Sequence, residues 1–61
     1  MSNIKTFRER AGLTQFQLAE MLGVKRSTVA MWEAGTNMPK ANKLLALAKI
    51  LDCSIEELLE G

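Results

Sequence analysis

Two predicted helices at the centre of the chain are separated by a turn of only three residues, Gly23 to Lys25. The first begins at Thr14, where "TQFQ" forms a capping box: the side chains of Thr14 and Gln17 each accept a hydrogen bond from the other residue's backbone amide. The second covers Arg26 to Ala34, and Gly35 ends it because glycine readily adopts the left-handed conformation that follows a helix. So short a turn restricts the arrangement of these helices more than any other feature of the sequence.

Three further helices are predicted around this pair, and no segment alternates apolar and polar residues as a strand does. One runs from Asn3 to Ala11, another has Pro39 as an early residue, and the last begins at Ser54 with a second capping box, "SIEE". The predicted fold class is therefore all-α, a compact five-helix domain that spans residues 1–61. The fourth helix carries a broad apolar stripe that indicates burial: Ala41, Leu44, Leu45, Leu47, Ala48 and Leu51.

The source of stability is restricted by the length of the chain, because a domain of 61 residues buries only about 60% of its unfolded surface. Disulfides or a structural metal often reinforce such small domains. This chain has one cysteine and no histidine, so we expect neither a disulfide within the chain nor a metal. The remaining sources of stability are well-packed helices or self-association. Cys53 lies in an apolar context and is predicted to pack as a small buried hydrophobe.

Several functional classes are disfavoured by what the sequence contains. Its longest apolar run, "LLALA", is far shorter than the roughly 20 residues that span a bilayer, and its first ten residues are unlike a signal peptide. A cytoplasmic protein without a membrane partner is therefore expected. No glycine-rich phosphate loop, paired acids or metal-ligand cluster is recognisable, so we expect neither an enzyme nor a bound cofactor.

Charge is distributed unevenly along the chain. Residues 1–49 hold eight basic and three acidic side chains, a net charge of +5, whereas residues 50–61 hold four acids and no base. A basic surface with a separate acidic end is typical of proteins that bind polyanions, although small helical proteins also show such an imbalance by chance.

Two helices joined by a tight glycine-containing turn are typical of a helix-turn-helix unit, here about residues 14–35, whose second helix enters the major groove of DNA. Helical spacing turns Val29 and Trp32 inward, with Val24 anchoring the turn. The opposite face is narrow and mostly small, as a helix needs if its backbone is to approach base edges. This face contains Arg26, Ser27, Ala30, Met31 and Ala34.

The segment "LTQFQLAEMLGVKRSTVAMWEAGTNMP" resembles the phage Cro/repressor (XRE-type) helix-turn-helix family, and the resemblance extends from Arg8 to "CSIEELL". It implies a lambda-repressor-like domain that binds double-stranded operator DNA and regulates transcription, as a repressor. It also implies a homodimer on a palindromic operator, with half-sites about one helical turn apart. Two alternatives are a protein-interaction module of the same fold and the DNA-binding piece of a longer regulator.

Four residues are predicted to face the bases: Arg26, Ser27, Ala30 and Met31. Arg26 can donate two hydrogen bonds to guanine O6 and N7, or instead clamp a phosphate or remain solvated. Met31 can touch a thymine methyl group, or serve as a neutral spacer.

A second group is predicted to contact the phosphate backbone. Gln15 lies at a helix N-terminus, where free amides and the helix dipole favour an anion, and Lys25 replaces the usual capping Ser or Thr. Lys43 is expected to be solvated instead. For Gln15 the alternative is an ordinary exposed residue at a helix start, and for Thr28 it is a local cap. The resemblance adds three contacts from the loop after Gly35, so the whole predicted phosphate group consists of Gln15, Lys25, Thr28, Asn37, the amide of Met38, and Lys40.

The resemblance further implies a structural ion pair between Arg8 and Glu33, with a phosphate contact as the alternative for Arg8.

A possible dimer surface is supplied by Ile50, Ile55 and Leu59. Phe16 and Met21 stand where the family mostly has polar residues, and are either scattered surface residues or a contact with a partner.

Overall fold

The computed structural model describes residues 3–60, so both ends of the predicted domain, 1–61, extend just outside the described residues. Within this range there are helices and no strand, and the predicted all-α fold is confirmed. The five helices are α1 (Ile4–Arg10), α2 (Gln15–Leu22), α3 (Arg26–Ala34), α4 (Ala41–Leu51) and α5 (Ile55–Leu59).

Local hydrogen bonds define where the helices begin. Both capping boxes are present: Thr14 Oγ1 accepts from the amide of Gln17 at 3.0 Å, and Gln17 Oε1 accepts from the amide of Thr14 at 2.9 Å. Ser54 and Glu57 make the same pair of bonds at the start of α5. Lys25 occupies the equivalent position before α3 but makes no side-chain bond to the helix.

Left-handed residues end three of the helices. Gly23 after α2 and Gly35 after α3 have φ angles of 72° and 79°, which cost glycine little. Asp52 ends α4 with φ 54°, a conformation that aspartate adopts more readily than most residues with a side chain.

The start of α4 differs from the prediction. Pro39 is not an early helical residue, because Lys40 is extended (φ −70°, ψ 164°) and caps a helix that begins at Ala41. Pro39 is buried, so its ring packs against the protein in the loop that precedes the helix. Helical spacing contains no information about this burial, since Pro39 lies outside the helix.

The apolar stripe predicted for α4 is also too broad. Leu47 is fully buried and Leu51 is 5% exposed, but the Leu45 side chain is 57% exposed and Ala41 lies at the surface. The helix packs mainly against α2 and α5, which cover one side of it. The core of the described residues draws on every helix and consists of Ile4, Leu18, Ala19, Leu22, Val29, Trp32, Leu47, Leu51 and Leu58.

Lys43 is not simply solvated, contrary to the expectation from sequence. Its Nζ donates to the carbonyl oxygen of Leu22, the last residue of α2, at 2.8 Å. The last carbonyls of a helix lack partners within the helix and carry the negative end of its dipole, so an ammonium group is favourable there. The bond ties α4 to the end of α2, immediately before the turn.

Replacing Lys43 with methionine should lower the free energy of unfolding by about 1 kcal/mol, because the carbonyl oxygen of buried Leu22 loses its charged donor. Urea denaturation followed by circular dichroism measures this change. Lys5→Met, at an exposed position of α1, is the matched control and should leave stability within about 0.5 kcal/mol. Equal effects of the two substitutions would show that the Lys43 bond contributes no stability.

Cys53 is half-buried and packs against the core. Burial, together with the carboxylates of Glu57 and Asp52, raises the pKa of its thiol. The thiol therefore stays protonated at neutral pH. Cys53 packs against the core as a small hydrophobe, but it is half-buried and not buried as predicted. Among residues 3–60, no helix has the length and apolar character needed to cross a bilayer.

Candidate nucleic-acid interface

Helices α2 and α3 form the most extensive helix pair in the described part of the chain. In the turn between them, the amide of Val24 donates to the carbonyl oxygen of Ala19 at 3.0 Å, which closes the end of α2. Val29 is fully buried and Trp32 is 4% exposed, so α3 is anchored by its inner face. The opposite face of α3 remains at the surface.

The surface of α3 presents the residues that were predicted to face bases. Arg26 and Ser27 are exposed in its first turn, Ala30 is half-buried and the Met31 side chain is 37% exposed. Apart from Arg26 and Met31, the side chains on this face are small. A major groove about 12 Å wide admits a helix with such a face, because little side-chain bulk separates its backbone from base edges.

Behind this face, Arg8 and Glu33 form an ion pair that connects α1 with α3. Arg8 Nε donates to Glu33 Oε2 at 2.6 Å, Nη2 donates to Oε1 at 3.2 Å, and Nη1 donates to the carbonyl oxygen of Leu13 at 2.8 Å. The two side chains are 10% and 5% exposed. The bond to Glu33 raises the pKa of Arg8, against the opposing effect of burial. Arg8 is thus held inside the fold, with its charge neutralised by Glu33.

Gln15 connects this ion pair to the surface of α3. Its Nε2 donates to Glu33 Oε1 at 3.0 Å, and its Oε1 accepts from Arg26 Nη1 at 3.1 Å. We call these four residues, Arg8, Glu33, Gln15 and Arg26, the polar network. Sequence reasoning considered the ion pair, Gln15 and Arg26 separately and missed the two bonds that join them. No signal in the sequence indicated these bonds, because they join residues that lie 18 and 11 positions apart.

The other predicted phosphate contacts lie near helix starts. Lys25 is exposed as the residue before α3, and Lys40 is exposed as the residue before α4. Asn37 and Met38 are exposed in the loop between these helices, and Thr28 is half-buried in α3. Neither Lys25 nor Lys40 accepts a capping bond from the helix that it precedes, and both place a positive charge at the surface.

The predicted dimer surface is only partly accessible. The Leu59 side chain on α5 is 41% exposed, whereas Ile50 and Ile55 are half-buried and Ile50 packs against the core. Two apolar residues on α2 are more exposed than Leu59: Phe16 at 58% and Met21 at 57%.

The sequence pattern of the helix-turn-helix family matches residues 4–58, which is nearly the whole chain. The chain belongs to this family. A helix-turn-helix transcriptional regulator of Archaeoglobus fulgidus, itself uncharacterised, is 33% identical over 57 residues, which cover 93% of this chain and 81% of that protein. The resemblance to the Cro/repressor group that the sequence indicated is confirmed.

Two relatives with described roles are also similar. The transcriptional activator BcrR of Enterococcus faecalis is 38% identical over 95% of this chain and 28% of that protein. Repressor protein C2 of Salmonella phage P22 is 36% identical over 95% of this chain and 27% of that protein. The helix-turn-helix chain thus spans about a quarter of the length of these two regulators.

The fold agrees closely with a solved complex. The crystal structure of the P22 c2 repressor with a synthetic operator matches with a TM-score of 0.87 at 36% identity, over 95% of this chain and 88% of that chain. A transcriptional regulator from Listeria innocua matches with a TM-score of 0.83 at 33% identity, over 97% of this chain and 56% of that chain.

Proposed function

We propose that this helix-turn-helix chain binds operator DNA sequence-specifically by placing α3 in the major groove, and that it thereby represses transcription in the cytoplasm. The main support is the exposed face of α3, which is small apart from Arg26 and Met31 and is anchored from behind by buried Val29 and Trp32. A rigid helix with this surface suits base recognition. The similarity to a repressor that was crystallised with its operator supports the same conclusion.

Within this proposal, the exposed residues have different tasks. Arg26 donates to guanine O6 and N7, and the small side chains of Ser27 and Ala30 allow the helix backbone close to the bases, with Met31 against a thymine methyl group. Lys25 and Lys40 neutralise phosphates on the DNA backbone. Thr28, Asn37 and the Met38 amide add neutral contacts to phosphate. The base contacts select the sequence, whereas the phosphate contacts determine register and salt dependence.

The same proposal includes a homodimer on a palindromic operator. One copy of this small domain neutralises few phosphates, so a monomer binds weakly, and two copies on adjacent half-sites bind far more tightly. We assign the contact between copies to α5 and the end of α4, where Leu59 is exposed beside Ile55 and Ile50.

The test is binding to random duplex DNA and to a site selected from a random pool, each across a salt series. A selected site should bind at least about 10³-fold more tightly than random DNA, with affinity that falls as salt rises. If no site is enriched and random DNA binds only at low salt, the proposal fails. A protein-interaction module would then be the better explanation, and exposed Phe16, Met21 and Met31 would be the residues to substitute.

Two substitutions separate base reading from phosphate binding. Arg26→Ala should reduce discrimination by about 1–3 kcal/mol at one base pair, because the donors to guanine are lost. Lys40→Ala should weaken binding to all sequences alike and reduce the salt slope by about 1. Titrations of the selected site and its single-base variants measure both effects, with Lys5→Ala as the control at an exposed position on α1. A uniform loss for Arg26→Ala would contradict a base-reading role.

A further inference from the structure

We propose that Met31 is an oxidation site, and that a peroxide lowers the affinity of this protein for its operator by converting the Met31 thioether to a sulfoxide. This inference rests on the proposed function, in which Met31 lies against a thymine methyl group. It adds a chemical modification to the exposed face of α3 and makes operator binding sensitive to oxidants.

The Met31 side chain is open to a dissolved oxidant in the free protein. Met31 is 37% exposed, and the residues one helical turn before and after it, Ser27 and Ala34, are also exposed. On a helix, the side chains three and four positions away are the ones that lie next to a given residue. Because Ser27 and Ala34 are small, they cover little of a methionine side chain. The thioether therefore stays accessible until DNA covers this face of α3.

The oxidation needs only the thioether and hydrogen peroxide. A lone pair of the sulfur attacks one peroxide oxygen, the O–O bond breaks, and a sulfur–oxygen bond forms. The sulfur loses two electrons and the peroxide is reduced to water, so the step balances without a further reactant. Sulfoxide reductases convert methionine sulfoxide back to methionine, with one enzyme for each epimer, so the modification is reversible.

Oxidation changes what the Met31 side chain can contact. A thioether is largely apolar and suits a thymine methyl group, whereas a sulfoxide is polar and is hydrated in water. Placing the sulfoxide against a methyl group removes this water without replacing its hydrogen bonds. We expect the affinity for the operator to fall about 5- to 100-fold when Met31 is oxidised, which is the cost of burying an unpaired polar group.

The fold does not depend on the Met31 sulfur. Val29 and Trp32, close to Met31 along α3, are buried and anchor the helix. The carbonyl oxygen of Met31 accepts from the amide of Thr36 at 3.0 Å, a backbone bond that oxidation of the side chain leaves in place. Met31 also lies outside the polar network that connects α1, α2 and α3. Oxidation of Met31 therefore acts on DNA binding and not on folding.

The experiment treats the protein with hydrogen peroxide, locates the sulfoxides by peptide mass spectrometry, and measures the affinity for the selected operator before and after treatment. Met31→Leu and Met21→Leu are the matched variants, since Met21 is 57% exposed but lies on α2. Each protein is compared with its own untreated form. We expect the unsubstituted protein and Met21→Leu to lose affinity alike, and Met31→Leu to keep its starting affinity. Treatment with both sulfoxide reductases should restore what was lost.

Duplexes that differ by one methyl group test the cause of the loss. At the base pair whose preference changes in Met31→Ala, the untreated protein should bind thymine about 4-fold more tightly than uracil, and the oxidised protein should bind them equally. Equal binding of thymine and uracil before treatment would overturn the inference.

Other outcomes also overturn the inference. They are the absence of sulfoxide at Met31, an unchanged affinity once Met31 is oxidised, and an equal loss in treated Met31→Leu. Unfolding of the oxidised protein, measured by thermal denaturation, would do the same. All these outcomes leave the proposed function intact, whereas failure of the untreated protein to select any site overturns both.

Discussion

Replacing Glu33 with alanine should lower the free energy of unfolding by about 3–5 kcal/mol, because Arg8 then remains charged and buried without its partner. The total stability of a domain this small is only about 3–9 kcal/mol, at about 0.05–0.15 kcal/mol per residue. The variant should therefore be close to unfolding at room temperature. Urea denaturation followed by circular dichroism gives the measurement, and a loss below about 1 kcal/mol would contradict the role assigned to this pair.

Two controls distinguish the effect of leaving Arg8 unpaired from the effect of removing a glutamate side chain as such. Glu20→Ala removes an exposed glutamate from α2 and should change stability by less than about 0.5 kcal/mol. The double variant Arg8→Met/Glu33→Leu removes both charges together, and should recover much of the stability lost in Glu33→Ala, since apolar replacement of a buried ion pair is often neutral. If the double variant is no more stable than Glu33→Ala, the loss has another cause than the unpaired charge.

A palindromic operator with two half-sites should bind this protein about 10²- to 10⁴-fold more tightly than one half-site of the same sequence. The reason is that the second copy binds next to one already held on the DNA, at a high effective concentration. Half-sites about one helical turn apart place both copies on the same side of the duplex. Fluorescence anisotropy titrations of both duplexes, with stoichiometry measured at saturation, test this expectation.

Leu59→Gln tests the surface assigned to the dimer. This change should bring the affinity for the full operator down toward that for the half-site, while binding to the half-site itself stays the same. Leu45→Gln is the matched control, since Leu45 is similarly apolar and 57% exposed but lies on α4, outside the predicted dimer surface. Binding of a single copy to the full operator at saturation would contradict the dimer.

Several elements of the fold were predictable from short stretches of sequence. The capping boxes at Thr14 and Ser54 are where the sequence indicates them, and Gly23 and Gly35 end α2 and α3. Helical spacing correctly turned Val29 and Trp32 inward. The candidate reading face followed from the same spacing, because residues opposite a buried pair on a helix lie at the surface.

Other features depended on contacts that no local pattern contains. Leu45 extends the apolar stripe of α4, but only the packing of α2 and α5 decides that it is left exposed. A lysine at position 43 is expected to be solvated from the sequence alone. Only the packing of α4 against α2 places its Nζ beside the carbonyl oxygen of Leu22. Pro39 is likewise buried although it lies outside the helices, which helical spacing does not reveal.

The sequence by itself determined the five helices, the ends of α2 and α3 and the exposed face of α3, because capping, glycine conformation and helical periodicity act over three or four residues. The tertiary structure alone decided how Gln15 lies between Glu33 and Arg26. Those bonds join three side chains from two helices, and their geometry exists only once α2 packs against α3. The buried carboxylate of Glu33, which is paired with Arg8, can only accept hydrogen bonds. This fixes which partner donates in each of these bonds.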